Sequence, residues 1–153
     1  MNSLISVRLA SIADAEALSG LNQEFNGGVR RPPAQIVEHL HTNRNECIAV
    51  AELNGAIVGF GCAQSLYSLC YEEPYGEITE LYVQETARRK GAARAIITCL
   101  EDELRVRGVK RVKVLTGRKN AAAIQTYEDC GYVKDDEQML EKELTDEACP
   151  SIP

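Results

Sequence analysis

Arg88-Arg89-Lys90-Gly91-Ala92-Ala93 places three cations, a glycine and two small residues at the mouth of an apolar helical pattern, just after a run of β-formers ending at Val83. A helix start offers unpaired backbone N–H groups and the positive end of the helix dipole. Glycine and alanine let a ligand come close to that backbone. Together they suit an anion, most naturally a phosphate. The alternative is a surface helix start with solvated arginines. Neither G-x-x-x-x-G-K-[ST] nor G-x-G-x-x-G is present, so the other common phosphate loops do not apply.

A second group lies downstream in "NAAAIQTYEDCGY", where Asn120, Ala123, Ile124 and Tyr127 fall on one helix face. A tyrosine ending such a stripe ordinarily belongs to a core, with its hydroxyl reaching the surface.

Charge is unevenly spread. The net charge is −6, yet residues 88–119 hold eleven Lys or Arg against three acids, giving +8 there and −14 elsewhere. Such segregation suits an anionic ligand at one place and a cationic one at another, or simply solvated charge on one helix and one strand edge. The six cysteines (Cys47, Cys62, Cys70, Cys99, Cys130, Cys149) include no C-x-x-C. Cys47, Cys62, Cys99 and Cys130 sit in apolar stretches and are expected as buried free thiols, with no disulfide framework and no zinc site. His39 and His41 are two apart on a helical pattern and face different ways, so no metal is expected.

The elements that position these residues follow from hydrophobic period and turn chemistry. The 153 residues, 44% hydrophobic and 26% charged, suit one soluble domain spanning 1–153. The start lacks a basic region followed by an apolar one, and no run is long enough to span a membrane, so a cytoplasmic protein is expected. "ISVRLA" alternates as a strand. Ser11, with Asp14 three residues on, opens a helix whose apolar face is Ile12, Ala15, Leu18, Leu21 and Phe25. "RPPAQIVEHLHTN" is a short helix entered through proline. "ECIAVAEL" and "AIVGFGCAQSLY" flank Asn54-Gly55, a hairpin signal. "YGEITELYV" is a strand, residues 91–107 a helix closed by Gly108, "KRVKVLT" a strand, and residues 120–130 a helix closed by Gly131. "EQMLEKEL" is read as a last strand. The order is β-α-α-β-β-β-α-β-α-β-β. That is an α/β (α+β) fold, with about four helices on a mixed, mostly antiparallel sheet of about seven strands.

Strand, basic glycine turn, helix, strand and then N-x-x-A-x-x-x-Y-x-x-x-G-[FY], in that order, resemble the GNAT superfamily of N-acetyltransferases. Arg88 to Ala93 match the family's [QR]-x-x-G-x-[GA] signature. Asn120, Ala123, Tyr127, Gly131 and Tyr132 match the later motif, and "ELYV" at Glu80 to Val83 is a common family form. The resemblance covers nearly the whole chain in element order and residues 77–132 in motif. The sequence departs from the family in lacking a proline shortly after Val83 and in carrying Ala92 where a larger aliphatic residue is frequent.

The resemblance implies acetyl-CoA as cosubstrate and no metal. Backbone amides between Arg88 and Ala93, through Arg89, Lys90, Gly91 and Ala92, would hold the CoA pyrophosphate. The strand edge Leu81, Tyr82, Val83 would pair with the pantetheine arm, and an amide near Leu81 would polarise the acetyl carbonyl. Asn120 would contact CoA, and Tyr127 would be the general acid for the leaving thiolate. Glu77 or Glu80 would deprotonate the acceptor amine. Three apart on a strand, these two point to opposite faces unless a bulge intervenes, and the family often has one there. The choice between them is open, and at least one is expected to be only a solvated or salt-bridged residue.

The implied reaction is direct acetyl transfer to a primary amine, on a small cationic molecule such as a polyamine or aminoglycoside. Tyr67, Tyr71, Tyr75, Glu72 and Glu73 would suit such an acceptor, and a solvated loop would have the same composition. The alternatives are a protein N-terminal or lysine acetyltransferase, a non-catalytic CoA sensor, and a nucleic-acid-binding module using the +8 segment. The last lacks a reader motif and aromatic interleaving. The expected partner is therefore a small-molecule amine, with no nucleic acid and no membrane; a homodimer is common in the family, and the sequence leaves it open.

Overall fold

The computed structural model describes residues 4–146. Strand β1 (Ile5–Leu9) runs into helix α1 (Ala15–Asn26) through a short turn. There Asp14 accepts from the Ser11 backbone N–H at 2.8 Å and takes both prongs of the Arg8 guanidinium at 2.7 and 2.9 Å. Helix α2 (Pro33–Thr42) begins at its proline. Strands β2 (Glu46–Leu53) and β3 (Ala56–Leu66) form the expected hairpin, in which Asn54 and Gly55 both take positive φ. Strand β4 (Tyr75–Val83), helix α3 (Ala92–Val106), strand β5 (Val112–Val114) and helix α4 (Ala121–Asp129) follow.

The sheet order is β1-β2-β3-β4-β5, antiparallel except for the parallel pair β4–β5. Helix α3 covers one face. Its Ile96, Ile97, Leu100 and Leu104 are essentially fully buried, each such side chain contributing about 1.5–3 kcal/mol of burial. Gly61 of β3 lets the helix lie close, since a Cβ there would sit 2.5 Å from Ile96 and 3.0 Å from Leu100. Helices α1 and α2 cover the other face through Leu18, Leu21, Ile36, Val50, Phe60 and Cys62.

Three expectations need correction. Residues 137–144, read as a last strand, are irregular, with Met139, Leu140 and Leu144 exposed. The described residues form five strands, against the about seven expected. This segment has strand-like alternation, but its apolar side chains meet no core, and alternation alone does not hold a strand to a sheet. Ile12 also points outward rather than into the α1 face, because the first turn winds more tightly than an α-helix. Of the thiols expected inside, Cys47 and Cys62 are buried, whereas Cys99 and Cys130 are half-buried. Cys149 lies outside the described residues. No described helix is long and apolar enough to cross a membrane.

Candidate active site

The site is built around an interruption in β4. Strand β5 pairs with β4 only at Gly76, Glu77 and Ile78. Past Ile78 the two part, so the β5-side backbone edge of β4 from Thr79 to Val83 has no strand beside it. The other edge stays paired to β3 as far as Val83. Backbone groups alternate between the two edges of a strand, and the Gln84 N–H bonds to Val58 of β3, so it is Leu81 and Val83 that face the open side, a template for an extended ligand. The Tyr82 side chain is engaged elsewhere. Its ring stacks on Phe25 at 5.2 Å, and its hydroxyl donates to Glu24 at 3.2 Å, tying α1 to β4.

The turn after β4 leads straight into α3. Arg89 and Gly91 both take positive φ, at 62° and 83°. Left-handed residues within a turn gather backbone N–H groups into an anion-holding concavity, and Gly91 caps a helix whose first amides lack intrahelical partners. A Cβ on Gly91 would meet nothing within 4 Å, so packing within the chain does not demand glycine there. Arg88 donates from Nε to the Val83 carbonyl at 2.9 Å, fastening the turn to the strand end. Arg89 and Lys90 are exposed, Ala92 is buried beneath the helix and Ala93 is half-buried. These residues fit a diphosphate-bearing cofactor: open space before a glycine, free amides and exposed cations.

The carboxylates are arranged by a bulge. Cys62 pairs with Glu80 and Ala63 with Ile78, leaving Thr79 unpaired. The extra residue turns Glu80 to the same face as Glu77, toward α1 and α2, where both lie beside Cys62 and Gln64 of β3. Burial raises the pKa of Glu80 above the ordinary glutamate range, and the negative charge of Glu46 raises it further. A carboxylate tuned upward is a better base near neutral pH.

Tyr127 comes from α4. Its ring is buried in the α3-side core and meets Tyr132 edge-on at 5.5 Å. Burial pushes its hydroxyl up to about 12, and the nearby Cys130 and Glu80 add to the effect. Glu80 and Tyr127 therefore act on each other electrostatically, although they approach β4 from opposite faces. Asn120 caps α4, its side-chain oxygen accepting from the Ala123 N–H at 3.2 Å. The exposed loop before β4 carries Tyr67 and Tyr71, and its Glu73 forms an ion pair with Lys110.

Sequence reading passed over Glu46 and gave His39 no role. His39 Nε2 lies 2.6 Å from Glu46 Oε1, and Gln64 donates to Glu46 Oε2 at 3.0 Å. The β2–β3 register could have found Glu46, but it too is shifted by a bulge. Among the described residues, no group of three His, Cys, Asp or Glu is placed to hold a metal ion.

A strand edge opened at a bulge, leading into an amide-rich turn with a buried tyrosine alongside, suits an extended ligand with an anionic end. The chain belongs to the acetyltransferase (GNAT) family, whose profile matches residues 15–132. An acetyltransferase of Yersinia pestis (strain Pestoides F) is 32% identical over 112 residues, covering 73% of this chain and 75% of that one. The fold matches an aminoglycoside N-acetyltransferase solved in complex with CoA, with a TM-score of 0.80 at 17% identity over 94% of this chain and 97% of that one. It also matches a ribosomal-protein-alanine N-acetyltransferase from Brucella melitensis biovar Abortus 2308, with a TM-score of 0.75 at 23% identity over 92% and 99%.

Proposed function

We propose that this N-acetyltransferase moves the acetyl group of acetyl-CoA directly to a primary amine on a small cationic molecule, such as a polyamine or an aminoglycoside. The observation that carries this reading is the free edge of β4 beyond Ile78, lying between the Arg88–Ala93 turn, Tyr127 and the paired carboxylates. When bound, acetyl-CoA supplies a thioester carbon open to attack. The turn amides hold its diphosphate, and the Leu81–Val83 edge aligns its arm. The Leu81 amide, on the open side of β4, would donate to the acetyl oxygen as a single preorganised donor.

An alkylamine is mostly protonated near neutral pH. Glu80, ionised and raised in basicity, takes that proton, and Glu77 on the same face favours a cationic acceptor. Tyr127 stays neutral to about pH 12 and donates to the departing sulfur. A thiolate binds a proton less tightly than this phenolate, so Tyr127 must be re-protonated as it gives. The attacking nitrogen, which sheds a second proton when it becomes an amide, is the source.

The test is kcat/KM with acetyl-CoA for spermidine, kanamycin, lysine and butylamine at two salt concentrations. The polycations should lead, and their lead should shrink with salt, because exposed charges are screened over about 10 Å at 0.1 M. A win for lysine or butylamine, or a ranking indifferent to salt, would remove the cationic acceptor from this reading.

A further inference from the structure

Acetylation of an ammonium leaves one proton behind. The amine, entering as R–NH3+, gives one proton to Glu80. As the N–C bond forms and the C–S bond breaks, its second proton passes through Tyr127 to the sulfur. The products are a neutral amide and a thiol, so the first proton stays on Glu80 and must leave before the next turnover. Glu80 is half-buried, and β3 lies on one side of it.

Two strands away, on the same face, stands Glu46. Register places Glu80 opposite Cys62 and Glu46 opposite Gln64, so Cys62 and Gln64 floor the gap between the carboxylates. Cys62 feels both charges and is held as the neutral thiol by burial. Glu46 is fixed at both oxygens, one by Gln64 and the other by His39. Exposure increases outward along this line, from 12% for the Glu46 side chain to 29% for His39. Both residues line a surface pocket of about 140 Å³ bordered by Asn43, Ile48 and Arg107.

We propose that Glu46 and His39 form the exit path for the substrate proton, carrying it from Glu80 to solvent through the pocket beside α2. The proposal rests on Glu80 being the base. Proton transfer needs groups within hydrogen-bond reach or one water apart. The 2.6 Å contact meets that requirement directly for the last step; for the first, across two strands and two residues of register, the path requires water between Glu80 and Glu46. On the face shared by Glu80 and Glu46 stand Glu77 of β4 and Cys62 of β3; Cys47 and Arg107 border the pocket, and Tyr127 acts on Glu80 from the opposite face. Glu24 of α1 is engaged with Tyr82 and Gln84. Glu46 also contributes to the raised basicity of Glu80, so it has two measurable effects.

The experiment compares Glu80→Gln, Glu46→Gln and His39→Gln with the wild type, using acetyl-CoA and the fastest of the four amines named above. His39→Gln keeps a polar partner for Glu46 but cannot carry a proton. It should lower kcat at least about tenfold with both KM values unchanged, and added imidazole should restore kcat, as a diffusible carrier does for a broken proton path. Glu46→Gln should lower kcat and move the acid limb of kcat/KM to lower pH, since a negative charge beside Glu80 is gone. An undiminished Glu80→Gln enzyme would overturn the base and the path together. With Glu80→Gln impaired, a His39→Gln enzyme that keeps its kcat, or loses it beyond rescue by imidazole, would overturn the path alone.

Discussion

Glu77 and Glu80 are three residues apart on β4 and yet leave the sheet from the same face, because Thr79 is bulged out between them. In an unbroken strand one of them would face α3 and the core. Thr79 directly follows the last residue paired with β5, so the gathered carboxylates and the open strand edge lie on the same stretch of β4.

The two carboxylates should differ in consequence. Glu80→Gln is expected to lower kcat/KM by roughly 10²-fold or more, within the range for a lost general base, whereas Glu77→Gln should act mainly on KM for a cationic acceptor. The base must be ionised, and burial with Glu46 raises its pKa. As pH falls, activity should therefore fail sooner than an ordinary glutamate would dictate. Steady-state kinetics across pH checks both points.

Tyr127→Phe keeps the ring packed against Tyr132 and removes one hydroxyl. The expected result is a fall in kcat of roughly 10²-fold with little change in acetyl-CoA affinity. Because Tyr127 ionises only at about 12, the wild type should show no alkaline loss from this group below pH 10. Wild-type turnover in the variant would leave Tyr127 a packing residue.

Gly91→Ala tests the turn. The left-handed φ strains any side chain there, and the open space before Gly91 is where a bound diphosphate would lie. Titration calorimetry should show weaker acetyl-CoA binding, while circular dichroism shows the fold retained. Unchanged affinity would place the diphosphate elsewhere.

Away from the site, Asp14 is buried and accepts from Arg8 and the Ser11 backbone. Asp14→Ala should cost about 1–3 kcal/mol, since it removes charge-assisted hydrogen bonds from Arg8 and one from the Ser11 backbone. The ion pair and hydrogen bonds hold the Asp14 pKa below its usual value. Its stabilisation is thus complete above the unfolded-state pKa and fades as pH falls through the folded one. Urea melts at neutral and acid pH should find the variant and wild type converging at the acid end.

What the sequence disclosed and what it hid share a physical cause. Asn54-Gly55, the proline entering α2 and the glycines after α3 and α4 have local chemistry that marks a boundary, and each element stands where that chemistry puts it. Bulges have no such mark. Counting back from the Asn54-Gly55 turn pairs Glu46 with Ala63, which faces α3. The extra residue Val58 shifts the pairing to Gln64 and the opposite face. Glu46 and His39 were hidden for that reason, and the Glu77–Glu80 alignment stayed undecided for the same reason at Thr79. The splay of β5 depends on where a neighbouring strand stops, which a strand's own residues do not encode.

The glycine at position 61, under α3, has a consequence for selectivity. Ile96 and Leu100 are seated so close against the bare backbone of Gly61 that α3 lies tight on β3. If the turn amides hold the anionic end of acetyl-CoA and the Leu81 amide its acetyl group, as proposed, this close packing sets their separation and the domain would work as a gauge. A carrier with a shorter or longer arm between its anionic anchor and its acyl group would present the wrong atom to the carboxylates, however well either end was held.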